Sequence, residues 1–257
     1  MADAQPKGAI GLFVTCLVDA MRPSIGFAAI KLLEAAGYSV VVPKAQTCCG
    51  QPAFNSGDDD DARGIACRLI EAFEPFDYVV APSGSCAGMI REHVPLLFKN
   101  DPYMADRAQA LAAKTFEIVS FLHDVADYTP SNITLNTTAT YHDSCSGLRE
   151  LGIQAQPRAL LAAVDGLRLT PLPDADVCCG FGGTFCVKYP EISEQIVAKK
   201  TAAIASTEAE LLLAGDLGCL MNMAGRLKRE GKPTRCYHVI EVLAGMADTV
   251  PAIGEGH

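Results

Sequence analysis

The sequence predicts an α/β protein made of two similar halves, each built on a short parallel sheet. Three observations carry this. Thiols recur in step: Cys16, Cys48, Cys49 and Cys86 are matched by Cys145, Cys178, Cys179 and Cys219, 129 residues later for the first member and 130 for the vicinal pair. Self-similarity at one offset is the mark of a duplicated unit. Short aliphatic or β-branched runs alternate with stretches of helical apolar spacing, the pattern of βαβ units. A length of 257 residues at 49% hydrophobic content suits two domains of ordinary size, each able to bury a core.

The elements follow in order. Ile10 to Val14 is a short apolar run ending at Thr15-Cys16, and reads as a buried strand. From Pro23 to Ala36 apolar residues recur at helical spacing, and Gly37 supplies the stop. Tyr38 to Val42 reads as a second strand, followed by a loop carrying Cys48-Cys49-Gly50. Asp58 to Asp61 reads as the solvated first turn of a helix continuing to Phe73, where negative charge suits the helix dipole. Tyr78 to Ala81 is a third strand, Cys86 follows, and a helix spans Ala87 to Phe98. A polar stretch from Asp127 to Asn136 reads as the linker, dividing a first half (1–128) from a second (137–257).

The second half repeats the order. Thr138 to Tyr141 is a strand with His142-Asp143-Ser144-Cys145 at its end. Pro157 to Val164 is helical, and Leu167 to Leu169 is a strand leading to the turn Cys178-Cys179-Gly180-Phe181-Gly182-Gly183. Glu191 to Ser206 is a helix, and Ala209 to Ala214 a strand ending at Gly215-Asp216-Leu217-Gly218-Cys219. Ligands of open parallel sheets gather outside the carboxyl ends of the strands, so each half should bring its four thiols to one edge.

A net charge of −9, with no cluster of Lys or Arg, argues against nucleic acid as a partner. No apolar stretch reaches the ~18 residues needed to span a bilayer. The first seven residues have no basic start followed by an apolar run, so no signal peptide is read there. Eleven cysteines without such a signal point to metal or redox chemistry in a reducing cytoplasm rather than to a disulfide framework. Cys67 and Cys236 read as ordinary buried thiols.

Four converging thiolates make a metal site, for iron–sulfur or for zinc. Structural zinc takes ligands from C-x₂₋₄-C knuckles, which this chain lacks, and vicinal cysteines close a cramped ring on one ion but reach two neighbouring metals easily. That favours an iron–sulfur cluster in each half, with Zn as the alternative. No G-x-G-x-x-G turn follows a strand, so no nicotinamide or flavin site is visible. Three functions remain open: a redox subunit, a zinc-binding structural scaffold, and a thiol/disulfide enzyme working through a vicinal dithiol. His142 and Asp143 read either as proton-transfer groups beside a cluster or as structural residues. Lys188 and Arg149 read either as cations for a small carboxylate substrate or as surface ion-pair partners.

The repeated C…CCG…C pattern resembles the cysteine-rich CCG domain found in heterodisulfide reductase (its B component) and in the iron–sulfur component of glycolate oxidase. More closely, Phe13 to Asp19, Tyr141 to Cys145 and Cys179 to Phe185 resemble the lactate-utilisation protein A family, the likeness running from about residue 9 to about residue 246. What the resemblance implies is a duplicated CCG domain. It also implies an electron-transfer subunit of an L-lactate-oxidising complex (lactate to pyruvate), working with two partners, lactate-utilisation proteins B and C, and not active alone. In one respect the chain departs from the heterodisulfide reductase pattern, in which each repeat ends in C-x-x-C. Here the places are Cys86-Ala87-Gly88-Met89 and Cys219-Leu220-Met221-Asn222, so the fifth thiol is missing from both. Four thiols suit a 4Fe-4S cubane, or leave an iron open to substrate, unless Cys186 replaces the missing ligand in the second repeat.

Overall fold

The computed structural model describes residues 6–255; residues 1–5, which hold most of the N-terminal stretch read for a signal peptide, lie outside it. The chain divides into two compact units between Tyr128 and Thr129. Each unit carries one four-stranded, all-parallel sheet flanked by helices. The first contains β1 (Ala9–Leu12), β2 (Ser39–Val41), β3 (Tyr78–Ala81) and β4 (Thr115–Glu117), in the order β2-β1-β3-β4. The second contains β5 (Thr134–His142), β6 (Asp165–Thr170), β7 (Leu211–Ala214) and β8 (Arg235–His238), in the order β6-β5-β7-β8. The two orders are the same topology, so the duplication seen in the thiols extends to the whole unit.

In the first unit β1 and β3 are central and buried apart from their first residues, whereas β2 lies at an edge with Ser39 and Val41 exposed. Behind the sheet, the Phe121 ring meets Tyr38, Tyr78 and Phe116 edge-on at 5.1, 5.2 and 5.7 Å. Full burial of such a ring, as at Phe121, is worth roughly 2–3 kcal/mol. The Asp59–Phe73 helix opens as its charge pattern predicts: Asp58 Oδ1 accepts from Asp61 N at 3.1 Å, and three further carboxylates occupy the first turn.

Three differences from the sequence reading matter. Each sheet has a fourth strand, β4 or β8, that the local pattern does not mark. The helix carrying Cys86 begins at Gly84 rather than Ala87, because Ser83 caps it through its hydroxyl on Cys86 N. β5 begins at Thr134, inside the stretch read as linker. Among the described residues no helix is long and apolar enough to cross a membrane.

Candidate metal centres

In both sheets the strand order reverses direction between the two central strands, and the crevice outside their carboxyl ends is where ligands bind. Thiols flank that crevice in each unit. Cys16 follows β1 and is the first residue of the Cys16–Met21 helix; Cys145 follows β5 and opens the Cys145–Arg149 helix. Thr15 and Ser144 cap these helices, accepting from Val18 N at 3.4 Å and from Gly147 N at 3.3 Å. Cys86 and Cys219 sit in the first turns that follow β3 and β7, the latter under Asp216, whose Oδ1 accepts from Gly218 N at 3.1 Å and Cys219 N at 3.4 Å. The vicinal pairs arrive from the side, on loops after the edge strands β2 and β6.

Glycine shapes both loops. Gly50 and Gly180 follow the cysteine pairs with φ of +90° and +82°, a left-handed turn that aims backbone N–H groups at sulfur. Gly180 N donates to Cys178 Sγ at 3.3 Å, and a Cβ at Gly180 would lie 2.9 Å from the Ser193 carbonyl oxygen. The second loop is pinned by Ser193 Oγ donating to Gly180 O at 2.8 Å and by Asn222 Nδ2 donating to Cys179 O at 2.9 Å. In the first unit Gln46 does the pinning, accepting from Val14 N at 2.9 Å and donating to Pro43 O at 3.1 Å.

The result is the same in both units. Side-chain hydrogen bonds link Cys16 to Cys48, Cys48 to Cys49 and Cys49 to Cys86. They link Cys145 to Cys178, Cys178 to Cys179 and Cys179 to Cys219. All eight repeated cysteines are therefore brought together, four to a set. Within each set the first sulfur of the vicinal pair is the one most favoured as an anion. The Cys48 and Cys178 thiols are pulled down to about 2, because each accepts from the thiols on either side, Cys16 or Cys145 first. Cys16 and Cys145 are held up by giving that proton away and then by burial, as are the deeper Cys49 and Cys179. Four thiolates at this spacing need multivalent positive charge between them. Four sulfurs, two of them beside a glycine turn, at a sheet edge built for ligands, fit a metal or a cluster.

The remaining sequence candidates separate. Cys186 gives its thiol proton to Gly183 O at 3.5 Å. Arg149 donates to Asp176 O at 3.1 Å, and its charge lowers Cys145. Lys188 is exposed. Asp143 is buried and held by Arg158 through two 2.8 Å hydrogen bonds, a structural clamp. His142 is fully buried, and neither ring nitrogen has a hydrogen-bond partner among the described residues. Burial first, and then the Lys200 charge, pushes its imidazole down to about 4. Its ring, the Cys179 sulfur and the Cys219 sulfur place ligand atoms within 4.8 Å of one another, a set able to hold a metal ion. Lys200 and Asp216 are absent from the candidates read in the sequence; the Asp216-Leu217-Gly218-Cys219 order is a helix-cap signal that could have found the second. A cavity of about 380 Å³ opens beside Cys16 and Cys48, lined also by Asp19, Lys44 and Thr47.

Fold and thiol sets together define a duplicated cysteine-rich α/β protein, and the cysteine-rich CCG domain matches the chain twice, at residues 10–91 and 139–224. Lactate utilization protein A of Exiguobacterium sp. is 49% identical over 236 residues, covering 91% of this chain and 96% of that protein. The protein of the same name from Bacillus subtilis is 48% identical over 234 residues, covering 91% and 98%. The chain belongs to the lactate utilization protein A family. Among solved structures, a hypothetical protein from Helicobacter pylori shares the fold, with a TM-score of 0.67 at 12% identity over 95% of this chain; this chain spans half of that one.

Proposed function

We propose that this chain is the iron–sulfur electron-transfer subunit of a cytoplasmic system that oxidises L-lactate to pyruvate, with one 4Fe-4S-type cluster on each thiol set. The observation that carries it is the duplicated chain of four hydrogen-bonded thiols, each at a sheet edge where such folds bind ligands. The relatives' name supplies the substrate class. A cluster, when bound, supplies one-electron transfer. The protein's own residues would do the rest: Cys16, Cys48, Cys49 and Cys86 hold the first group, and Cys145, Cys178, Cys179 and Cys219 the second. Gly50 and Gly180 let backbone approach the sulfurs, and Asp216 and Ser83 orient the helices that present the last thiol of each set.

Lactate oxidation removes a hydride equivalent, two electrons at once, and no flavin or nicotinamide motif is visible in this chain. The hydride step therefore belongs to a partner, which the family resemblance names as lactate-utilisation proteins B and C. The purified chain should show negligible lactate oxidation with an artificial acceptor and gain it when those two proteins are added; full turnover by the chain alone would refute this division of labour. A second reading, a zinc-holding scaffold in the same complex, is favoured by the mixed nitrogen and sulfur set around His142, which zinc takes readily.

Anaerobic purification followed by iron, sulfide and zinc analysis separates the two. Iron and sulfide bound at both sets support the cluster reading, and zinc alone supports the scaffold. Cys178→Ser should lower iron per chain by about half, because the two sets lie in separate units. Unchanged iron would remove Cys178 from the ligands.

A further inference from the structure

The two units put different side chains at one position behind the thiols. β1 pairs Ile10 with Tyr78 and Leu12 with Val80; β5 pairs Ala139 with Leu211 and Tyr141 with Leu213. One step on, Phe13 in the first unit holds the place of His142 in the second. Phe13 continues its ladder through a hydrogen bond from its N–H to Val80 O at 2.9 Å and packs edge-on against Phe73, as an apolar core residue does. His142 makes no comparable use of its polarity. Both its nitrogens are buried and, among the described residues, unpartnered, an unfavourable state for a polar group.

The change is not isolated. The Asp59–Phe73 and Pro190–Ser206 helices bury residues at identical spacing, and the place of Leu69 in the first is taken by Lys200 in the second. The helix cap before the last thiol is Ser83 in one unit and Asp216 in the other. Around the first thiol set these positions are occupied by Phe, Leu and Ser; around the second, by His, Lys and Asp. The fold is the same, so the difference is chemical.

We propose that His142 is a nitrogen ligand of the metal centre held by the second thiol set, so that the two centres of this chain differ in their donors. This rests on the reading of the thiol sets as metal sites. The ring lies with the Cys179 and Cys219 sulfurs in a group whose ligand atoms are all within 4.8 Å of one another. Neither repeat has a second cysteine three residues after Cys86 or Cys219, where Met89 and Asn222 stand, and in the second unit His142 stands where an additional donor can reach the group. Bonding to a metal also gives a use to a nitrogen that nothing else among the described residues satisfies.

The test uses the full chain as Cys48→Ser/Cys49→Ser, which empties the first set, loaded anaerobically and examined by X-ray absorption at the edge of whichever metal binds. One imidazole per centre is expected, visible through its ring scattering, and its loss is expected when His142→Phe is added. Phe13 already occupies that place in the other unit, so the substitution copies a side chain this fold accepts. Loss of the metal itself in the His142→Phe chain, with imidazole seen in the parent, supports the same assignment. Metal bound at the second set of the parent without imidazole overturns it and leaves the metal-site reading standing. A native chain that binds no metal at either set overturns both.

Discussion

Arg158→Ala should cost the second unit about 2–4 kcal/mol. Arg158 grips Asp143 with two parallel hydrogen bonds of 2.8 Å, and the carboxylate side chain is wholly buried while 34% of the arginine side chain remains in water. Removing one partner of a fully buried pair costs ~3–5 kcal/mol, because the other charge is left without compensation. Solvent at the arginine screens the pair, which lowers the figure to about 2–4. The same side chain covers the Tyr141 ring at 5.2 Å and donates to Gln154 O at 2.6 Å, and the substitution removes both interactions as well. An unfolding entropy near 2 cal/mol/K per residue, over the roughly 130 residues of the unit, turns 3 kcal/mol into a Tm lowered by about 11 °C. Calorimetry of the metal-free chain reads this directly. Arg63→Ala, which breaks the exposed Arg63–Asp60 pair, should move Tm by less than about 3 °C. Adding Asp143→Asn to Arg158→Ala should recover at least half of the loss, since the orphaned charge is gone. If Arg158→Ala behaves like Arg63→Ala, or Asp143→Asn recovers nothing, Asp143 does not depend on this arginine and the clamp beside Cys145 is misread.

Gly180→Ala should weaken metal retention by the second set and destabilise the unit by about 1–3 kcal/mol, since it strains a φ of +82° and drives a methyl to 2.9 Å from the Ser193 carbonyl oxygen. Gly231→Ala, at φ +64° with open space around it, should cost only about 1 kcal/mol and leave metal content unchanged; equal effects on metal content would show that the turn at Gly180 does not shape the site. In the metal-free chain, His142 is depressed to about 4 when folded and returns toward 6.5 when unfolded. The unfolded chain therefore binds the proton first, and stability should fall as pH drops from about 6.5 to about 4, by up to about 3 kcal/mol. Urea titrations across that range should show the loss in the parent and a flatter profile in His142→Phe; parallel profiles would place the titration elsewhere.

Some of this was written in the chain itself. The two thiol sets are legible because a duplication preserves spacing. The helices that hold Cys16, Cys145 and Cys219 are not read there, and the one at Cys86 is started late, at Ala87, although Thr15, Ser144, Asp216 and Ser83 stand where caps do. The central strands were legible too, since both faces of β1, β3 and β7 are covered and every residue there is drawn toward apolar. β4 and β8 were not. Thr115–Glu117 has three residues, one apolar, and Arg235–His238 mixes charge with aromatic character; each is a strand because a neighbour offers it a hydrogen-bonding edge. The inequality of the halves belongs to tertiary structure as well. In sequence, Phe13 and His142 are an apolar residue and a histidine 129 positions apart, and Leu69 and Lys200 are unrelated. Only the pairing of β1 with β3, of β5 with β7, and the burial of the two long helices put each pair in one place. Spacing along a chain records which residues can meet at a sheet edge. Which side chains stand behind them is set by contacts between segments far apart in sequence, and no local pattern carries that information.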